Sequence, residues 1–567
     1  MSLTETKLIT RFWQLLKPDR QEIRNLYLFS ILSGLLSLGL PLGIQMIINF
    51  IELGQLSVSW FVLVFLVVMS IGVSGLLNIF QLRITENLQQ RIFTRSAFEF
   101  AGRIPNIKLT ELFQKYAPDL SNRFFDTLTI QKSLSKLLID FTAAVLQLLF
   151  CLLLLSFYHS FFIFLGIFLL LILALIIRLT APNGMRTSLE ESSYKYKVAA
   201  WLKDITHARF SFKLAGSHQM NMDRTDVYVN GYLNARDNHF KVLMKQYGYL
   251  ILFKILIALC FLILGGILVI NQQMNIGQFV ASEIIFLLII GSVEKLILSI
   301  EVVYDVLTAI EKIRQVTDLT LENDGGEIMP ESVGNGFSVK FERVSFEFEE
   351  LQQPILINVD LSIEKNEIIG LVSDSSLTSN VLFCLLTGMY EVNKGCVSLN
   401  GMPIDNLKKS SYREYIGTYI PQDHLLFDNV IENVRFGRNQ YDIGEVEQQL
   451  SSLELISYIH SLPNKYHSIL NPEVHLLPND VKIKLLMARA LLGRPSLFLA
   501  EQPTAGLTSA QKEVILSSLF NSNDKTSLIA SNDLEVLSRC PRIIAFKNGQ
   551  LCFDGNYASY LKFEKTC

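Results

Sequence analysis

Six long apolar stretches shape the first half of the chain. They lie near residues 26–50, 58–80, 138–158, 160–178, 247–270 and 279–300, and they contain almost no charged side chains. Each holds about 19–25 residues, which lets a helix cross a hydrocarbon core of roughly 30 Å. Six stretches of this length and low charge are not typical of buried helices in a soluble core. The pattern predicts a six-span transmembrane domain over residues 26–320, embedded in the lipid bilayer.

The basic residues predict how these spans are oriented. The short loops at 51–59, 158–160 and 271–277 contain no Lys or Arg, whereas the N-terminal segment and the two long connections contain many. Positive residues concentrate on the cytoplasmic side of a membrane. We therefore predict a multi-pass protein of the cell inner (cytoplasmic) membrane with both termini cytoplasmic. Residues 1–25 are predicted to form an amphipathic helix at the interface.

The hydrophobic pattern changes after the sixth span. Residues 321–336 are rich in glycine and are predicted to be a linker. From residue 337 to residue 567, short apolar runs alternate with helical stretches, which predicts an α/β domain. Its predicted strands include VKFERVSFEF, ILINVDLSI, EIIGLVS, SLFLAE and SLIAS, and a helix is predicted over 379–389. The long cytoplasmic connections keep helical spacing, so spans two to five are predicted to continue as helices beyond the bilayer.

Composition and charge bear on which classes of protein this chain can belong to. Hydrophobic residues make up 50% of the chain and charged residues only 18%, which excludes a wholly soluble protein. The formal net charge of -3 gives no basic field for nucleic acid, so no nucleic-acid partner is predicted. The seven cysteines are scattered without metal-ligand spacing, and no metal site is predicted.

A few ionisable residues lie inside the predicted spans. Lys254 and Glu294 fall at similar depths on helices that run in opposite directions. Because an unpaired charge in the membrane is costly, we predict that they form a charge pair. The alternative for Lys254 is that its side chain reaches to the interface on its own.

Landmarks of the second half resemble a known family. The runs VSFEF, LLTGMYEVNKGCVSLNG, YIPQDHLLFDNVIENV, ARALLGRPSLFLAEQPTAGL and SLIASNDLEVL occur in the order found in ABC exporters. The whole chain resembles an ABC exporter half-transporter, and IGQF at 276–279 is similar to type I secretion and peptide exporters. The resemblance implies a membrane α-helical domain of six spans followed by an α/β ABC-ATPase-like domain. It also implies a homodimer, or a heterodimer with another ABC half-transporter.

The resemblance places a phosphate-binding loop between a strand and a helix, where the family has glycines and a Gly-Lys-Ser/Thr ending. This chain has neither glycine nor Lys there. The family-equivalent positions, predicted to be defective, are Ser373, Ser376, Thr378, Ser379 and Asn380, and Asp374 adds a negative charge. The family's magnesium-binding aspartate is replaced by Ala500, whereas Glu501 occupies the water-activating position as a relict catalytic residue.

Other family positions also depart from the expected residues. The signature, D-loop and switch-histidine positions carry Pro478, Asn479, Asp480, Thr508 and Asn532. Two further positions match the family, namely Gln422 of the Q-loop and Phe348 at the adenine-stacking position. Gln422 could be retained for coupling to the membrane helices, and Phe348 for ordinary strand packing.

These departures lead to the functional prediction. We predict an ABC-exporter-like protein that does not hydrolyse ATP, acting as a subunit or scaffold of an export system or as an ATP-independent transporter. The alternative is an ATP-driven exporter of a peptide, protein or lipid-like substrate, and a third class is an assembly protein that uses the α/β domain to bind partners. No cofactor is predicted; ATP and Mg²⁺ are implied only by the alternative. A periplasmic adaptor is a further candidate partner.

Overall fold

The computed structural model describes residues 3–52, 58–112, 117–216, 218–326, 336–348, 353–471, 477–521 and 524–565. The chain divides into two compact units. The first comprises Met1–Ile107 and Glu111–Thr320, and the second comprises Lys108–Thr110 and Leu321–Cys567. Of the predicted linker 321–336, residues 327–335 lie outside the described part of the chain.

The first unit is built from helices. Their bounds are α1 Leu3–Leu16, α2 Arg20–Ser37, α3 Gly39–Glu52, α4 Val58–Arg103, α5 Leu109–Leu112, α6 Ala117–Asn122, α7 Asp126–Ser135, α8 Thr142–Tyr158, α9 Phe161–His207, α10 Arg209–Ala215, α11 His218–Ile270 and α12 Ile276–Thr317. A π-helical segment at Lys136–Phe141 joins α7 to α8. Within the described residues, six helical segments are long and apolar enough to cross a membrane.

The long helices extend well past the apolar stretches. Helix α4 has 46 residues, α9 has 47 and α11 has 53, so each continues far beyond the length that a bilayer needs. Helices of this length are what the predicted extensions of spans two, four and five would require. The core of this unit joins α8, α9, α11 and α12 through buried side chains such as Leu148, Leu169, Phe261 and Ile289.

The second unit contains two sheets. Its strands are β1 Val339–Glu347, β2 Pro354–Ile363, β3 Ile368–Ser373, β4 Lys394–Leu399, β5 Met402–Pro403, β6 Ile416–Tyr419, β7 Leu497–Glu501, β8 Thr526–Ala530, β9 Arg542–Lys547 and β10 Gln550–Gly555. One sheet has the order β2-β1-β4-β5 and is antiparallel. The other has the order β10-β9-β3-β8-β7-β6, and all of its strands except β10 are parallel.

The described residues of the second unit also form helices. They are α13 Ser376–Leu386, α14 Lys409–Tyr412, α15 Val430–Arg435, α16 Ile443–Ser452, α17 Ile456–Ser461, α18 Asn479–Leu491, α19 Ser509–Phe520, α20 Leu534–Ser538 and α21 Tyr557–Glu564. Alternate residues of β7 enter different cores, Phe498 on one face and Leu499 on the other. A parallel sheet buried on both faces needs such continuous apolar strands. The predicted fold class, six membrane helices followed by an α/β domain, is confirmed.

Two predicted segments differ in detail. Helix α13 begins at Ser376, three residues before the predicted start, because the Ser375 side chain accepts a hydrogen bond from Leu377 N and caps the helix. It ends at Leu386, and Gly388 follows with a φ of 64°. The start of the predicted linker is also anchored within the second unit, where the Glu322 carboxylate accepts a 2.8 Å hydrogen bond from Arg413.

Candidate functional site

Three strand ends lie side by side at one edge of the six-stranded sheet. Because β3, β8 and β7 are neighbouring and parallel, their carboxyl ends face the same edge. This arrangement brings the predicted phosphate-loop residues after β3, Glu501 at the end of β7 and Asn532 just after β8 to a common edge. In an open α/β sheet, this is the edge at which ligands bind.

The connection between β3 and α13 consists of only Asp374 and Ser375. The hydroxyl of Ser373 donates to the Ser375 carbonyl over 2.8 Å, and the Asp374 carboxylate accepts a 2.8 Å hydrogen bond from Asn548 N. The Ser373 hydroxyl and one oxygen of the Asp374 carboxylate are thus already hydrogen-bonded within the protein. The exposed Asp374 carboxylate also places a negative charge at the start of the helix.

The first turns of α13 carry the remaining phosphate-loop positions. The Ser379 side chain is buried and donates to the Ser376 carbonyl over 3.0 Å, and Thr378 is buried as well. The Asn380 side chain lies 3.5 Å from the Cys384 Sγ. No Lys or Arg occurs between Asn366 and Asn393 in the sequence, so this turn brings no cation of its own. A helix N-terminus attracts anions, but here a carboxylate already lies beside it.

Glu501 is the most unusual group at this edge. Its side chain is 4% exposed, and its Oε2 atom has no hydrogen-bond partner among the described residues. Burial raises the pKa of Glu501 above its ordinary value. Burial, followed by the nearby Glu501 carboxylate, also raises the pKa of Cys384 to about 11, so this thiol stays protonated at neutral pH.

The other predicted positions have ordinary structural contacts. Pro478 is the N-cap residue of α18, and Asn479 and Asp480 form its first turn. Thr508 caps α19 through a capping box with Gln511. Gln422 and Asn532 are exposed. Phe348 is 5% exposed and makes edge-to-face contacts with Phe346 and Tyr390, whose ring centroids lie 5.0 and 5.4 Å away.

Magnesium and a polyphosphate do not fit the residues at this edge. The position before Glu501 is Ala500, which is fully buried and supplies no ligand. The hydroxyls of Ser373 and Ser379 donate to backbone carbonyls, and Asp374 would repel phosphate oxygens. Within the described residues, no cluster of three or more His, Cys, Asp or Glu side chains could hold a metal ion.

The structure also shows hydrogen bonds around Asp533 that the sequence did not reveal. Asp533 accepts hydrogen bonds from Lys512 Nζ at 2.5 Å and from Thr504 Oγ1 at 3.1 Å. The same residue caps α20, a role that Asp before an apolar run could have indicated. Lys512 lies 21 residues away along the chain, and no sequence spacing would have paired it with Asp533.

The predicted membrane charges are brought together in the first unit. Lys254 Nζ on α11 donates to Glu294 Oε2 on α12 over 2.5 Å. The two side chains are 26% and 37% exposed, so neither is fully enclosed by protein. Each side chain is therefore paired with the opposite charge of the other.

Comparisons with known proteins agree with this architecture. No family model matches the chain. It is 26% identical over 244 residues to the "Uncharacterized ABC transporter ATP-binding protein YfiB" of Bacillus subtilis, covering 42% of both chains. It is 24% identical over 241 residues to the "ATP-dependent lipid A-core flippase" of Chromobacterium violaceum, covering 42% of this chain and 41% of the relative. The matches thus span less than half the length of these curated relatives.

A solved structure extends the likeness to almost the whole chain. The structure of a bacterial Atm1-family ABC exporter with ATP bound superimposes with a TM-score of 0.85, at 17% sequence identity, and covers 96% of each chain. At this identity the likeness concerns the fold. The chain is a multi-pass membrane protein with the architecture of an ABC exporter half-transporter, in which a six-helix membrane unit and an ABC-type α/β unit are fused.

Proposed function

We propose that this chain is an export protein of the cell inner membrane that acts as a dimer, with both termini in the cytoplasm. The six-helix unit fused to an ABC-type unit supports this proposal. The name of one relative, an ATP-dependent lipid A-core flippase, supports a role in moving molecules across or within a membrane. The absence of Lys and Arg from the loops at 51–59, 158–160 and 271–277 supports the orientation.

The finer proposal is that the second unit works without hydrolysing ATP. The observation that carries it is the two-residue turn after β3, where Asp374 is negative and the serine hydroxyls are already bonded. Catalysis of phosphoryl transfer depends on positioned cations and on backbone groups that cradle the phosphates. A unit that lacks a positioned cation at this turn can still serve as a subunit or scaffold of an export system, or as part of an ATP-independent transporter.

The ATP-driven exporter is the second candidate. On the comparisons alone it is better supported, because the relatives are named as ATP-binding or ATP-dependent proteins and the matched structure holds ATP. One feature of this chain also favours it. The buried, unpartnered carboxylate of Glu501 is the kind of group that a catalytic base requires.

Nucleotide binding separates the two candidates. We expect the thermal unfolding of the full-length protein in nanodiscs to be unchanged by about 1 mM ATP with Mg²⁺, a concentration at the upper end of typical KM values. A bound nucleotide with a hundredfold lower Kd would stabilise the protein by about 2.7 kcal/mol. Stabilisation that saturates with ATP and disappears when EDTA replaces Mg²⁺ would favour the ATP-driven exporter. Inorganic phosphate with Mg²⁺ is the control for unspecific anion effects.

A further inference from the structure

A groove opens beside the turn between α1 and α2 in the membrane unit. Its volume is about 580 Å³, and its walls are mainly apolar. Trp13 and Tyr27 contribute aromatic rings to the lining, and Leu16 and Ile23 contribute buried aliphatic side chains. The Trp13 side chain is 49% exposed, although its ring also packs edge-to-face on Phe12 at a centroid distance of 5.5 Å, so about half of this large apolar side chain is left uncovered by protein.

The turn that forms this groove is held in a fixed geometry by α4. Arg95 donates to the Leu15 carbonyl over 3.1 Å and to Asp19 Oδ2 over 2.6 Å. Arg91 bonds to Asp19 Oδ1 over 3.3 Å and to Glu22 Oε1 over 2.6 Å. The two acidic residues of this segment are thus neutralised by arginines from another helix.

Three further basic residues remain at the rim of the groove. Lys17, Arg20 and Arg24 line it and are exposed, and none of them forms an ion pair or side-chain hydrogen bond within the described part of the chain. Since Asp19 and Glu22 are already paired, these three charges are not compensated by the protein. The groove therefore combines an apolar wall with a positive rim.

We propose that this groove binds an anionic phospholipid of the surrounding bilayer. The lipid phosphate contacts Lys17, Arg20 and Arg24, and an acyl chain lies along Trp13 and its apolar neighbours. Basic pockets between membrane helices suit anionic headgroups, and aromatic rings suit the boundary between headgroups and chains. The apolar wall distinguishes this site from one for a free phosphate ion, which would leave that wall exposed to water. The proposal rests on the membrane unit and is independent of nucleotide chemistry.

Quenching of tryptophan fluorescence by brominated acyl chains tests this proposal. The full-length protein is reconstituted in vesicles that mix phosphatidylglycerol and phosphatidylcholine, with bromine on only one of the two lipids. Subtracting the signal of Trp13→Phe isolates the contribution of Trp13. We expect brominated phosphatidylglycerol to quench Trp13 more strongly than the fraction of phosphatidylglycerol in the vesicle would predict for random contact. Equal quenching per mole by the two lipids would overturn the proposal.

Charge variants identify the residues responsible. Replacing Lys17, Arg20 and Arg24 by Gln should reduce the preference for the anionic lipid about fivefold for each charge removed, because a basic residue near an anionic surface contributes about that factor. Arg83→Gln, which removes an exposed arginine of α4 outside the groove, should leave the preference unchanged. A triple variant that keeps the wild-type preference, or loss of the preference on adding inorganic phosphate, would contradict a lipid site. The single variants give the same test should the triple variant fail to fold.

Discussion

Replacing Lys254 by Gln is expected to lower the free energy of unfolding of the membrane unit by about 3 kcal/mol. The substitution leaves the Glu294 carboxylate without its 2.5 Å partner in a helix that lipid surrounds. Removing one member of a buried ion pair typically costs 3–5 kcal/mol, and a charged side chain inside a membrane helix costs roughly 2.5–3.5 kcal/mol, so we expect a value near 3 kcal/mol. Glu294→Gln should have a similar effect. Apparent unfolding temperatures in nanodiscs at one fixed heating rate provide the measurement.

The double exchange, Lys254→Glu with Glu294→Lys, is the decisive variant for this pair. It restores opposite charges at the same two positions and should recover most of the stability lost in either single change. Lys295→Gln is the matched control, since this neighbouring lysine on α12 is exposed and should tolerate the loss of charge. A double exchange that is no more stable than the single variants would show that the two charges do not interact.

Replacing Arg489 by Met is expected to lower the free energy of unfolding of the α/β unit by about 3–4 kcal/mol. This buried arginine donates to the Asn433 carbonyl over 2.8 Å and to the His424 carbonyl over 3.1 Å. Both carbonyls lie in the segment that follows Gln422. Their lost hydrogen bonds and the lost packing of a buried side chain add up to this magnitude. Thermal unfolding of the full-length protein measures the effect.

Two further variants test whether the hydrogen bonds of the Arg489 guanidinium, rather than its charge alone, stabilise the α/β unit. Arg489→Lys keeps the charge but cannot reach several acceptors at once, so it should recover only part of the stability. Lys482→Met removes a half-buried lysine from the same helix, α18, and is expected to change stability by less than about 1 kcal/mol. If Arg489→Met lowered the free energy of unfolding no more than Lys482→Met does, the hydrogen bonds from Arg489 to the two carbonyls would not stabilise the α/β unit.

Much of the fold followed from the sequence because its elements have strong local patterns. The apolar stretches are long enough to be membrane helices, and the runs SLFLAE and SLIAS correspond to the buried strands β7 and β8. The start of α13 was harder to place, because it depends on the cap that Ser375 provides rather than on apolar spacing. Lys254 and Glu294 could be paired in advance because the depth of a residue in a membrane helix follows from its position in the span.

The candidate site was less predictable because its contacts join distant parts of the chain. The Asp374 carboxylate meets the backbone of Asn548, 174 residues away, and Arg489 meets Asn433, 56 residues away. The sequence showed which residues are missing from the phosphate loop but not how the remaining polar groups are used. The structure adds that the Ser373 and Ser379 hydroxyls bond within their own turns and that one oxygen of Glu501 has no partner.

Phosphate release from Mg²⁺-ATP by the protein in nanodiscs shows whether the α/β unit hydrolyses ATP. The comparison is between the wild type and Glu501→Gln, which keeps the shape of the side chain and removes its ability to act as a base. We expect both proteins to release phosphate only at the rate of protein-free nanodiscs. Turnover near 1 s⁻¹, the lower end of typical enzyme rates, that disappears in Glu501→Gln would contradict it and favour the ATP-driven exporter.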